Sequence, residues 1–551
     1  MDDAATDPLA RFRWHPEPEL LGIGDETTSR EALERLGAAA WQTSLDYLYR
    51  EGVRRGTGPD TYAELRERYF GAAGAPGPAP VAPTPAGEIL REFTDRLAPY
   101  LLNPYHPGVF SYFTPPPLAL SIVGELLAQW VNQGIDVYQA GPVGAFVEEE
   151  VNRWLCDLVG YGAGSWGVLT SGGTMANLMA LTVVRDVHLA RLLAAEAAEL
   201  PAGAALDPAR LVEGGSDAFP AVPRGTALDG VRVYASDQAH YSIAKALDVL
   251  GFPEETLHVV ASDERFRLRG EDVAGAIADD AARGLRPLAI AAVAGSTNTG
   301  SVDPTGALAD VAAAHGLWLH VDAAYGGAAL LSARDAGRVP DLARADSITI
   351  DPHKWFFQAY DIGGLLLRRR DDLLQSFHRA PEYYRHGHPG EEPIHWHQYS
   401  LEGTRRFRAL KLWASWKHLG TAGLGRLVEM NNDLAAHLAA RIAASDDLEP
   451  IPAGDPDLSV VCFRHVPGGR AGAAALEASD PAALDRYTDL LCAALVRSGE
   501  GWLSTTILRG RTCLRAGIVN YLSSPEAVDA VLATLRRLAP AAAAAAGIPA
   551  A

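Results

Sequence analysis

The chain has 551 residues, 48% of them hydrophobic and 21% charged, a balance that suits a large soluble core and excludes a disordered or fibrous protein. Its formal net charge of −20 argues against nucleic acid or an anionic membrane as partner, since both need clustered Lys and Arg, and leaves a small molecule. Cys156, Cys462, Cys492 and Cys513 are scattered, without the paired spacing of a zinc site or the density of a disulfide framework, so a reducing cytoplasm is the expected compartment.

The opening MDDAATDPLARFRW is acidic and lacks the basic-then-apolar order of a secretory signal, and no apolar run approaches the roughly 20 residues of a membrane span. Residues 1–118 carry helical patterns, as in SREALERLGAAAWQTSLDYLYREG, followed by GAAGAPGPAPVAPTPAG, which predicts a linker or extended arm. From 119 to 410, short β-rich runs alternate with helices: WGVLTSGG, VRVYASDQ, PLAIAAVAGS, LWLHVDAA, SITIDPHK and GGLLLRRR. Such alternation predicts a large α/β domain on a mostly parallel sheet, with ligands at the carboxyl ends of the strands. From His188 to Gly230 a helix gives way to Pro/Gly-rich sequence, and the stretch 205–230 reads as a surface insertion. After the helical TRRFRALKLWASWKHLG, residues 411–551 mix helices with LSVVCFRHV and TCLRAGIVN. They predict a smaller C-terminal α/β domain ending in a disordered Ala-rich tail.

The polar residues of interest sit where strands end. LTSGGTMANLMAL is a strand end, a turn and a helix start; Gly172 and Gly173 let backbone N–H groups approach an anion, and Thr174 adds a hydroxyl. An ordinary capped helix has the same look. LHVDAAYGG closes a buried strand with Asp322, a carboxylate that needs a partner: an arginine, a helix cap or the pyridinium nitrogen of pyridoxal 5'-phosphate (PLP). SDQAHYSIAKAL puts His240 at a helix start, where an imidazole can stack on a ring or serve structure alone, and AGSTNTGSVDP offers Thr297 in a turn. In DPHKWFF, Lys354 stands between a histidine and three apolar rings. Such a lysine either snorkels to water or is desolvated, and desolvation favours the neutral amine that can form a Schiff base.

Taken in order, TSGGT, SDQAH, AGST, HVDAAYGG, DPHKW and TRRFRALKLW resemble the group II PLP-dependent amino-acid decarboxylases, which include aromatic-L-amino-acid, glutamate and diaminobutyrate decarboxylases. The resemblance runs from NPYHPGVFSYF through the large domain and more weakly to the C-terminus. It implies fold type I of the PLP enzymes (PLP-dependent transferase-like), with a mostly parallel seven-stranded sheet, and a homodimer with shared active sites. It further implies that Lys354 forms the Schiff base with PLP, Asp322 binds the ring nitrogen, Ala324 packs on the ring and His240 stacks on its other face. Gly173, Thr174, Thr297 and His353 fall around the phosphate or the adjoining cofactor edge. Asp351 departs from the Asn often found before Pro-His-Lys, which puts its role as a phosphate ligand in question.

The segment APEYYRHGHPGEEPIHWHQ resembles the family's mobile catalytic loop, with Tyr383 matching the tyrosine that returns a proton to Cα and Tyr384 one residue away. Three readings follow: decarboxylation to an amine, which Tyr383 and His240 favour; oxidative decarboxylation-deamination to an aldehyde; and a non-catalytic PLP-fold binding protein. His386, His388, His395 and His397 form two His-x-His pairs, but no metal is expected, because nothing indicates a fixed ligand geometry. For the substrate, HPGVFSYFTPPPLAL offers Tyr112 and Phe113 as apolar contacts, and no arginine stands out for a side-chain carboxylate. A hydrophobic amino acid is the expectation. Asp136, where aromatic decarboxylases tend to carry an aromatic residue, keeps branched aliphatic substrates level with aromatic ones.

Overall fold

The computed structural model describes residues 30–48, 61–71, 75–82, 84–196, 225–379 and 393–548. Most of the stretch 205–230 read as an insertion lies outside them. Tyr383, Tyr384, His386 and His388 lie outside them as well.

Seven strands form the main sheet: β1 (Trp166–Thr170), β2 (Val231–Ser236), β3 (Leu257–Val260), β4 (Arg286–Val293), β5 (Trp318–Asp322), β6 (Ser347–Ile350) and β7 (Gly363–Leu367). Their order is β1-β7-β6-β5-β4-β2-β3. Only β7 runs against its neighbours, pairing antiparallel with both β1 and β6. This is the mostly parallel α/β sheet of fold type I. Helices cover both faces, so β1, β2 and β4 to β7 are buried over nearly their whole length and read as near-continuous apolar runs. The edge strand β3 is half exposed, and LHVV gave no such signal.

A second sheet, β10-β11-β9-β8, is antiparallel and comprises β8 (Leu448–Pro450), β9 (Val460–His465), β10 (Ser504–Leu508) and β11 (Arg511–Gly517). The helix Ala409–Ala443 joins the two layers. Leu412, Leu424 and Val428 pack in the core beside the main sheet, whereas Leu434, Leu438 and Ile442 pack in that of the second.

The alanine tract expected to be disordered is instead the end of the helix Pro525–Ala546. Alanine has the highest helix propensity, and Leu535, Ala539, Ala542 and Ala546, spaced three and four apart, bury one stripe on the second core. Weak apolarity per residue hid that periodicity.

Candidate active site

The carboxyl ends of β1, β2, β4, β5 and β6 converge on one cavity of about 330 Å³. The turn after β1 brings Ser171, Gly172, Gly173 and Thr174. The loops after β2 and β4 bring His240 and Thr297, β5 ends on Asp322 with Ala324 beyond it, and the turn after β6 brings Asp351, His353 and Lys354. All eight residues expected around the cofactor therefore line one space. The glycines there are required by close approach: a Cβ on Gly173 would lie 2.8 Å from Asp351 Oδ2, and one on Gly172 3.1 Å from His353 Cε1. Gly295, at φ +97°, passes so near Tyr325 that a Cβ would meet its ring at 2.8 Å.

Lys354 Nζ lies 3.1 Å from Asp351 Oδ2 and 5.9 Å from the centre of the Phe113 ring. Burial pulls its pKa down, but Asp351 and then Asp322 outweigh burial, so the pKa is raised. The two carboxylates thus favour the charged amine against burial, and the sequence could not show that Asp351 faces the lysine. Asp351 Oδ2 is also 3.6 Å from His353 Nε2. The carboxylate is thus paired with Lys354 beside the turn at residues 172–174. His353 accepts at Nδ1 from the Ile362 N–H, 3.2 Å away, lies tilted at 38° to the Tyr360 ring with centroids 4.6 Å apart, and is held below its ordinary pKa by burial. At the far end Asp322 accepts from the Ala324 N–H at 3.1 Å and from Asn177 Nδ2 at 2.8 Å.

Tyr112 and Phe113 are not among the residues that line this cavity. Tyr112 is exposed and lines an adjoining mouth of about 540 Å³ that shares Thr297 with the first cavity; its ring meets Trp502 edge-on at 5.5 Å. Phe113 is buried behind this wall, stacked on Tyr325 at 4.1 Å. Asp136 lines neither cavity. Its carbonyl accepts from His397 Nδ1 at 3.0 Å, and His395 Nδ1 accepts from the Tyr138 N–H at 3.4 Å. Among the described residues no group of three or more metal-ligating side chains is poised for an ion.

Two residues escaped the sequence reading. Asn177 is buried in the helix Gly173–Val183 and Arg515 in strand β11; both segments carry further polar residues, Thr174 and Thr182 in the one and Arg511 and Thr512 in the other, so the sequence alone marked neither out. Arg515 is an arginine the sequence did not single out. It is buried, lines the mouth, and its Nε donates to the carbonyls of Thr297 at 2.7 Å and Asn298 at 3.2 Å. A larger cavity, about 880 Å³, opens at the other end of β1 around Trp166. Its arginines are already engaged, Arg191 and Arg369 with Asp372 and Arg370 with Tyr399.

An anion cradle, a carboxylate and a lysine in one cavity at the strand ends fit PLP, and with this fold they define a PLP-dependent enzyme of fold type I. Residues 220–466 match the model of the pyridoxal-dependent decarboxylase conserved domain. The chain is 32% identical over 457 residues to the L-2,4-diaminobutyrate decarboxylase of Rhizobium meliloti (strain 1021), covering 83% of this chain and 82% of the relative. It is 29% identical over 453 residues to the aromatic-L-amino-acid decarboxylase of Bacillus atrophaeus, covering 82% and 85%. Among solved structures, mouse CSAD superposes with a TM-score of 0.78 at 25% identity, covering 93% of this chain and 99% of that one. Oryza sativa TDC with PLP and tryptamine gives 0.79 at 24% identity, with the same coverage. The chain belongs to the pyridoxal-dependent decarboxylase family and is a PLP-dependent amino-acid decarboxylase.

Proposed function

We propose that the chain converts an apolar L-amino acid, aromatic or branched aliphatic, to its primary amine and CO2. PLP, when bound, supplies the electron sink that makes loss of CO2 feasible. Lys354 holds the cofactor, Gly173 and Thr174 bind its phosphate at the helix N-terminus, and Asp322 keeps the ring nitrogen protonated by its charge. Tyr383 Oη returns the proton to Cα; its support is the motif resemblance.

The observation that carries the apolar substrate is the state of Arg515. Its Nε is committed to two backbone carbonyls, its plane lies over Phe113 at 4.8 Å, and its Nη atoms sit 3.2 and 3.3 Å from where a Cβ on Gly517 would be. Tyr112 and Trp502 form the adjoining wall. A second reading, an acidic side chain, is favoured by one detail: Arg515 Nη2 is buried and has no hydrogen-bond partner among the described residues. Amine release by the PLP-loaded protein from each common L-amino acid decides between them. Valine, leucine, phenylalanine, tyrosine or tryptophan should exceed aspartate and glutamate by about tenfold or more in kcat/KM. A preference for either acid overturns the apolar reading.

We also infer a homodimer, supported by the exposed Leu126, Leu127, Trp130, Val131, Val143 and Phe146 on the helices Ala119–Val131 and Pro142–Leu158. A mass in solution of one 58.6 kDa chain would overturn it. No described helix is long and apolar enough to cross a membrane. A cytoplasmic setting is supported by four free, buried thiols.

A further inference from the structure

Strand periodicity gathers hydrogen-bonding side chains beneath the cavity. Trp318, His320 and Asp322 alternate along β5, and Ser347 and Thr349 along β6, on the face toward the helix Gly173–Val183; Leu319, Val321, Ile348 and Ile350 join the opposite core. Asn177 stands at the centre, fully buried. Its Nδ2 donates to Asp322 Oδ2 and to Ser242 Oγ, both at 2.8 Å. Its Oδ1 accepts from Thr349 Oγ1 at 2.6 Å and from His320 Nε2 at 3.0 Å. A carboxylate cannot donate, so the amide stands only this way round.

That orientation fixes the protons in series. Trp318 Nε1 donates to Ser347 Oγ, and Ser347 donates to His320 Nδ1, each at 2.9 Å; His320 then carries its proton on Nε2, toward Asn177. On the other side Ser242 Oγ accepts a hydrogen bond from Asn177 Nδ2 and donates one to His240 Nδ1 at 2.7 Å. The Ser242 backbone N–H points at the same nitrogen from 3.4 Å. Two donors on Nδ1 leave the proton of a neutral His240 on Nε2, the nitrogen with no protein partner among the described residues, on a residue that lines the cavity. Burial, against the pull of Asp322, holds His240 below its ordinary pKa.

We propose that Asn177 is a positioning residue with two outputs: it aims Asp322 at the cofactor ring and, through Ser242, holds His240 as the Nε2–H tautomer, a proton donor facing the bound ligands. The first output rests on Asp322 pairing with PLP; the second is measurable without cofactor. Asn177→Asp is nearly isosteric and puts an oxygen where a nitrogen faced Ser242. The Ser242 hydroxyl then turns to that oxygen and accepts from His240 Nδ1–H instead. Ser242→Ala removes the hydroxyl, and Ser242→Thr restores it.

The test is ¹⁵N NMR of histidine-labelled, cofactor-free protein near pH 7, with the His240 signals assigned by their loss in His240→Gln. The parent and Ser242→Thr should show Nε2 protonated. Asn177→Asp should move the proton to Nδ1, and Ser242→Ala should give a mixture. In the PLP-loaded protein Ser242→Ala should lower kcat by about tenfold with KM within a factor of about two. A parent already protonated at Nδ1, or an unchanged tautomer in both Asn177→Asp and Ser242→Ala, overturns the proposal. If Asn177→Asp does not fold, Ser242→Ala alone decides. These outcomes are independent of which amino acid is decarboxylated.

Discussion

At the Asp322 end of the cavity every buried polar group of the Asn177 cluster has a partner of the right kind, from Trp318 through His320 to Ser242. At the Asp351 end the balance is one of charge: Lys354 and His353 gather on Asp351 Oδ2, while Oδ1 is buried without a partner among the described residues. Leaving a buried polar group unpaired costs about 1–3 kcal/mol. The first end is therefore held by hydrogen bonds within the fold, and the second by the Lys354–Asp351 ion pair. Substitutions at the first should damage geometry; at the second they should change protonation and loading.

The largest effect is expected at the lysine. Lys354→Ala should abolish covalent PLP attachment and turnover, read by borohydride trapping and peptide mapping; a pyridoxyl group on another lysine would reassign that end. Next, Asp322→Asn keeps the shape but loses the charge, so kcat should fall on the order of 10²-fold with the fold intact. Turnover within a factor of two of the parent would show that the fixed end contributes no electrostatics.

A smaller effect, in the opposite direction, is expected for Asp351→Asn. Asp351 raises the Lys354 pKa, and only the free amine attacks the cofactor aldehyde, so the variant should load PLP severalfold faster near pH 8. Stopped-flow absorbance measures the rate, and slower loading would contradict this sign. The smallest effect concerns His320, which burial pushes down to about 4 from 6.5. The folded state takes up this proton less readily than the unfolded chain, so its contribution to stability is complete above pH 6.5 and is lost as pH falls toward 4. Urea midpoints of His320→Gln should change less than those of the parent across that window. Equal slopes would remove His320 from the cluster.

The sequence revealed the ends of strands better than what lies between them. LHVDAA and DPHKW placed Asp322 and Lys354 because motif order and strand ends coincide in the lining of one cavity. The Asn177 cluster was harder to see, since its members come from two strands and two helices and touch only once the sheet has formed. The alternation in WLHVD and SITI was visible, but its partner helix was not. Asp351 shows the limit most clearly: its residue type raised a question about phosphate, and only geometry showed that Lys354 faces its charge.

The most direct test of decarboxylation to an amine is a joint measurement of amine, aldehyde and oxygen uptake by the PLP-loaded protein on its best apolar substrate, with Tyr383→Phe and Tyr384→Phe beside the parent. The parent should yield amine in step with CO2 and consume no oxygen, and Tyr383→Phe should shift product toward aldehyde, ammonia and peroxide. Aldehyde with oxygen uptake from the parent, or no change of product in either variant, would contradict the assigned reaction and its proton donor.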